Sequence, residues 1–273
     1  MQQLANTAFL LGVIGYSMAA ALFLIDLARR EPTPLAVRWS PRLLGGAAAL
    51  HLAHVVISSL LTRTCPVGSV HFALSLVGLL SVVVYLVLRR RQSLHAIGAL
   101  VTPTALTFLV AAQFVGVTRV AAAPRRALLN FHITANLAGV TLFLLAATAG
   151  VLYLFKERQL RQKRFATGPA KLPPLDVLDT TLNRLLLMGF PLLTVGLVTG
   201  AVFATQVKYG NAADLARAAL AYATWLVVAG VLVLRRVAGW RGRRAAYGAI
   251  IGTVCVLLVL ALYVVLPTAG GGP

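Results

Sequence analysis

Eight long apolar runs, at about 5–27, 43–62, 70–88, 95–115, 128–155, 184–205, 216–234 and 246–266, leave this chain few ways to fold. At about 1.5 Å of rise per residue, each run can cross a hydrocarbon layer of about 30 Å as a helix. No water reaches the peptide groups inside such a layer, so only helices and closed barrels span it. A barrel would show alternating segments of about ten residues, and these runs do not alternate. The expected fold is therefore all-α: a polytopic integral membrane protein with eight transmembrane helices. Apolar residues make up 59% of the chain and charged residues 11%, and mean hydropathy is +0.87. Eight spans use up most of the 273 residues, so residues 1–273 read as a single transmembrane domain.

Charge gives the bundle a direction. Of the 25 basic residues, 19 fall in every second gap: Arg29, Arg30, Arg38 and Arg42; Arg89, Arg90 and Arg91; Lys156 through Arg184; and Arg235, Arg236, Arg241, Arg243 and Arg244. Basic residues beside apolar spans hold loops in the cytoplasm and meet anionic lipid headgroups. Those gaps are thus expected inside, and both termini on the outer side. The same placement gives the net charge of +19 a membrane explanation, so membrane lipids rather than nucleic acid are the expected partners. Residues 156–183 read as a basic cytoplasmic connector, in which helix five continues beyond the membrane until Pro173 and Pro174 end any regular helix. The first run has no basic residues ahead of it and exceeds a signal peptide's apolar core, so it reads as a retained helix.

Few polar groups interrupt the spans. No carboxylate lies near the middle of one, which weighs against an ion-coupled transporter. Cys65 and Cys255 form neither a CxxC nor a metal cluster. No nucleophile–base pair or metal-ligand set is apparent, so an enzyme is not expected. The histidines stand out. His51 and His54 share a face of the second span, His54 about 16 Å from its start and near mid-membrane. His71 opens the third span and His132 the fifth, both on the outer side, whereas His95 opens the fourth on the inner side. Imidazole is a ligand for haem iron, so His54, His132, His51 and His71 are candidate cofactor-binding residues. The alternative is that each bonds a backbone carbonyl or hydroxyl on a neighbouring helix. Gly12 and Gly15, Gly196 and Gly200, and Gly248 and Gly252 mark close helix packing.

Three stretches carry a more specific signal: FHITANLAGVTLFLLAATAGVLYLFKERQLRQKR from Phe131, LDVLDTTLNRLLLMGFPLLTVGLVTGAVFA from Leu175, and GWRGRRAAYGAIIG from Gly239. Together they resemble the cytochrome c assembly protein family, nearest its HemX/YpjD-like inner-membrane branch, with CcsA and CcmC as relatives. The resemblance implies a multi-pass protein of the bacterial cytoplasmic membrane that handles haem at its outer half, alongside cytochrome c maturation proteins. It also implies that His132 matches the family's first external histidine and His54 the histidine of the second span; both are then candidate haem-iron ligands, and His51 is an additional histidine.

Two family features are missing. The loop TQVKYGNAADLARAAL, from Thr205 to Leu220, contains no tryptophan where the family has several; Tyr209 is its only aromatic and Asp214 its only acid. No histidine follows the last span in YVVLPTAGGGP. A second reading therefore stands beside haem handling: a non-haem-binding scaffold or regulator of haem and cytochrome biogenesis that lost the external site.

Overall fold

The structure is a computed structural model and describes residues 1–29, 33–90, 94–115, 126–162, 172–204 and 212–265. Among these are eight α-helices: α1 (Gln2–Ala28), α2 (Pro34–Thr62), α3 (Val70–Leu88), α4 (His95–Gln113), α5 (Arg126–Arg161), α6 (Leu175–Ala204), α7 (Ala212–Val237) and α8 (Arg243–Val265). Each is long and apolar enough to cross a membrane. The all-α fold with eight spans is thus as the sequence implied.

Several helices outrun their apolar runs. α2 begins at Pro34, so Arg38 and Arg42 lie on a helix rather than in a loop. Proline there breaks no intrahelical bond, because the first-turn N–H groups have no helical acceptor. α6 likewise begins at Leu175, ahead of Arg184. α5 runs on to Arg161, as the connector's basic start suggested, and carries a Glu157–Arg161 ion pair of 2.8 Å one turn apart. Residues 163–171 of the connector lie outside the described residues.

α1 packs along α2 and α4, α5 along α6 and α8, and α3 joins the two halves by touching both α4 and α5. Lipid tails are as apolar as the spans, so shape fit and polar contacts, rather than water exclusion, hold such helices together. Small residues provide that fit. A Cβ on Gly15 would lie 3.0 Å from Ala47 Cβ, and one on Gly252 3.1 Å from Val228. Tyr16, Phe23, Leu44, Phe143 and Leu182 fill the interior and are almost wholly buried.

Acid–base contacts tie one end of the bundle together. Asp26, at the end of α1, is 2% exposed. Its carboxylate lies 3.5 Å from His95 Nε2 and accepts the Thr33 N–H. Its partner is thus a histidine on α4. Asp179, near the start of α6, accepts two hydrogen bonds from Arg235 at 3.0 and 2.6 Å and one from Gly242 N–H at 2.8 Å. This clamp explains the GWRGRR stretch. Gly239 and Gly242 both have φ of +63°, a conformation that disfavours a side chain. Gly239 closes α7, with Trp240 N–H bonded to Leu234 O. Gly242 presents its N–H to Asp179 beneath the Tyr153 hydroxyl, which a Cβ there would strike.

Candidate functional site

The sequence-predicted histidines divide between two places, both at the end of the bundle opposite the Asp179 clamp. Three are in the α1–α4 half. His54 Nδ1 is 3.0 Å from Ala5 O, and its Nε2 is 3.0 Å from Gln113 Nε2. A carbonyl only accepts, so Nδ1 carries the proton and Nε2 presents its lone pair to the glutamine amide. His71 repeats the arrangement, with Nδ1 2.6 Å from Ala112 O and 3.1 Å from Val115 O. Its Nε2 therefore also bears a lone pair, and among the described residues that nitrogen has no hydrogen-bond partner. Phe9 leans on the His54 ring at 5.4 Å and Phe72 stands edge-on to His71 at 4.8 Å. Both imidazoles are thus fixed in orientation and tautomer by groups other than the nitrogen that would bind a metal.

His51 is used differently. It is fully buried, with Nε2 2.7 Å from Ser75 Oγ and Nδ1 3.2 Å from Tyr16 OH. Both ring nitrogens are spent on a polar link joining α1, α2 and α3. The close approach of Gly12, whose Cβ would lie 3.8 Å from the His51 backbone nitrogen, brings Tyr16 into reach.

His132 lies apart, between α5 and α6. Its Nδ1 is 2.8 Å from Thr199 Oγ1. Thr199 already directs its hydroxyl at Val195 O, at 2.7 Å, so the imidazole is the donor. Asn136 Nδ2, 2.9 Å from His132 O, also lies 3.2 Å from His132 Nε2. The Gly196 and Gly200 pair opens the space for this. A Cβ on Gly200 would lie 3.2 Å from His132 Cε1, and one on Gly196 would collide with the Asn136 amide. The spacing that suggested simple close packing therefore houses a polar notch.

His54 meets Ala5, in the first turn of α1, and Gln113, the last residue of α4. Gln113, Asn136, Thr199, Tyr16 and Ser75 are polar neighbours of the histidines that sequence reasoning missed. Only Gln113 and Asn136 gave any signal, as amides within apolar runs. Trp225 serves packing: its Nε1–H donates to Thr194 Oγ1 at 3.1 Å, and its ring lies 5.6 Å from Phe190. In the loop expected to carry tryptophans, residues 205–211 lie outside the described residues; so does the chain after residue 265. From Ala212 the segment is already α7, where Asp214 pairs with Arg217. Arg217 also donates to Leu262 O at 3.1 Å and stacks on Tyr263 at 4.6 Å, fixing α7 to α8.

Among the described residues, no group of three or more His, Cys, Asp or Glu side chains could hold a metal ion. A haem asks less of the protein, one or two axial imidazoles. Metal-binding histidines ordinarily donate their second nitrogen to a carbonyl, carboxylate or water. His54 and His71 meet that requirement, and so does the donor chemistry of His132, with Thr199 as acceptor. His51 does not.

Comparison with known proteins covers the three stretches singled out in the sequence. The cyanobacterial cytochrome c biogenesis protein CcsA of Synechococcus sp. (strain JA-2-3B'a(2-13)) is 37% identical over 107 residues, 34% of this chain and 31% of that protein. The protein of that name from Synechococcus elongatus is 38% identical over 93 residues, 34% and 29% of the two chains. From Guillardia theta, the similarly named protein is 29% identical over 201 residues, 66% of each chain. The chain thus spans about a third of the length of the two cyanobacterial relatives and 66% of the algal one. No solved structure matches it. Eight spans and bacterial relatives make it a multi-pass inner-membrane protein. Residues 67–267 match the family described as Cytochrome C assembly protein, a stretch that takes in His71, His132, the Asp179 clamp and the GWRGRR turn and starts after His51 and His54. On that match the chain belongs to the cytochrome c assembly protein family.

Proposed function

We propose that this protein is a membrane assembly factor for c-type cytochromes that handles haem at the end of the bundle bearing His54, His71 and His132. It binds and passes on a cargo rather than turning over a substrate. The observation that carries this reading is the shared posture of His54 and His71. Each donates Nδ1–H to a backbone carbonyl and holds an Nε2 lone pair ready for iron. Gln113 caps the His54 lone pair and would swing away when iron is bound. His132, held by Thr199 and Asn136, is the candidate contact at the mouth of the site.

The alternation of basic gaps supports an orientation with this end outside and both termini outside. Residues 156–183 then form a cytoplasmic connector, and residues 1–273 act as one transmembrane domain. Partners in this reading are membrane lipids, haem and the cytochrome c maturation proteins that receive it. The relatives' names, which specify cytochrome c biogenesis, point the same way.

The test is complementation. In cells lacking the protein, covalent haem in c-type cytochromes, read by haem-peroxidase staining of denatured membranes, is expected to fall and to return with the wild-type chain. His54→Ala/His71→Ala is expected not to restore it. Undiminished staining in the deletion would overturn the assignment. A second reading, a scaffold that carries no haem, draws on the way Asn136 and Thr199 engage both nitrogens of His132 and Gln113 engages His54. It predicts full complementation by the same double variant.

A further inference from the structure

The cleft between α6 and α7, at the arginine-rich end of the bundle, sets an apolar wall beside a cationic rim. It is an open groove of about 500 Å³ lined by Asn183, Leu187, Leu232, Val233, Arg236 and Arg241 among others. One wall is apolar and open on the outer surface of the bundle, with Leu187 40% and Val233 57% exposed. The rim is cationic. Of the five arginines from Arg235 to Arg244, Arg235 is tied to Asp179. Arg243 and Arg244 lie over Tyr247 and Trp240 at 5.6 and 5.7 Å. Among the described residues, Arg236 and Arg241 make no ion pair. Arg241 also borders a second cavity of about 420 Å³, on the far side of the α7–α8 turn, with Tyr153, Trp240 and Arg244.

The rim is also built rather than loose. Asp179 holds Arg235 on one side and the Gly242 N–H on the other, and the left-handed Gly239 and Gly242 set the path of the turn that carries Arg241. A guanidinium pair suits a phosphate diester, whose anionic oxygens accept from two donors at once. An exposed strip of Leu and Val below it suits acyl methylenes. Basic pockets between transmembrane helices bind anionic headgroups for these reasons.

We propose that this cleft is a binding site for an anionic phospholipid, with the phosphate between Arg236 and Arg241 and the first acyl methylenes along Leu187, Leu232 and Val233. The bound lipid joins α6 to α7 beside the Asp179–Arg235 pair. The site is independent of the histidines and of any role in haem handling.

The experiment uses the full-length protein in nanodiscs of phosphatidylglycerol or phosphatidylcholine, with native mass spectrometry for retained lipid and thermal unfolding for its effect. Wild type is expected to retain phosphatidylglycerol in preference to phosphatidylcholine and to unfold at a higher temperature in the anionic bilayer. Arg236→Gln/Arg241→Gln is expected to bind phosphatidylglycerol about 30-fold more weakly and to lose the anionic shift. Arg89→Gln/Arg90→Gln, which removes a remote basic pair, is expected to keep both. Arg241→Gln alone should lose about fivefold, giving a readout even if the double variant fails to fold. The proposal fails if the two double variants lose affinity equally, if phosphatidylcholine is retained as well, or if inorganic phosphate gives wild type the same stabilisation as the lipid.

Discussion

Replacing Asp179 tests whether the clamp at the arginine-rich end holds α6, α7 and α8 together. Its carboxylate accepts three hydrogen bonds, two from Arg235 and one from Gly242 N–H, and both partners of the ion pair are nearly buried, at 14% and 13% side-chain exposure. Breaking a fully buried pair by removing one partner costs about 3–5 kcal/mol. A hydrogen bond to a charged group contributes about 1.5–3 kcal/mol. Asp179→Asn keeps an acceptor for Gly242 but strands a charged Arg235 at the edge of water, so about 2 kcal/mol is expected. Arg235→Gln should cost a similar amount by orphaning the carboxylate. Because the two changes remove the same interaction, the double variant should cost about 2.5 kcal/mol rather than the sum, a coupling of about 1.5 kcal/mol. Reversible unfolding in mixed micelles, followed by tryptophan fluorescence, measures all three. Costs that add to within about 0.5 kcal/mol would show that the contact does no structural work and refute the argument.

Three further outcomes follow from the packing. Gly242→Ala is expected to destabilise by about 2 kcal/mol and Gly239→Ala by about 1 kcal/mol, since both have positive φ but only Gly242 faces the Tyr153 hydroxyl; in unfolding titrations, Tyr153→Phe should recover part of the Gly242 loss and none of the Gly239 loss. Gly196→Ala drives a methyl into the Asn136 amide, so a loss of about 1–3 kcal/mol is expected, and an unchanged unfolding midpoint would contradict the polar notch. His51→Ala orphans Tyr16 OH and Ser75 Oγ in a fully buried site. It should cost about 2–4 kcal/mol of stability while leaving any haem spectrum of the folded fraction unaltered. A spectral change there would make His51 a ligand rather than a strut.

The eight spans were legible because a bilayer imposes length and apolarity on any helix that crosses it. Helix ends were less so. Charge marks where hydrocarbon stops, but backbone hydrogen bonding continues through the headgroups, which is why α2 reaches back to Pro34 and α6 to Leu175. The histidines could be found as polar side chains in apolar runs, but their partners could not. A span that is apolar all round carries no stripe to say which face meets which neighbour. Gln113 reaching His54, Thr199 reaching His132 and Ser75 reaching His51 depend on helix rotations that periodicity does not encode. Asp179 falls in the sequence-read connector ahead of the sixth run, and its bond to Arg235 joins residues that only the fold brings together.

Haem ligation through the Nε2 lone pairs of His54 and His71 is read by a reduced-minus-oxidised absorption spectrum of the purified protein titrated with haem. Stoichiometric loading is expected, with the sharp reduced-state bands of imidazole-ligated haem. Those bands should weaken in His54→Ala and in His71→Ala separately and persist in His51→Ala. Absence of a haem signal at saturating haem, or a spectrum indifferent to both substitutions, would contradict it.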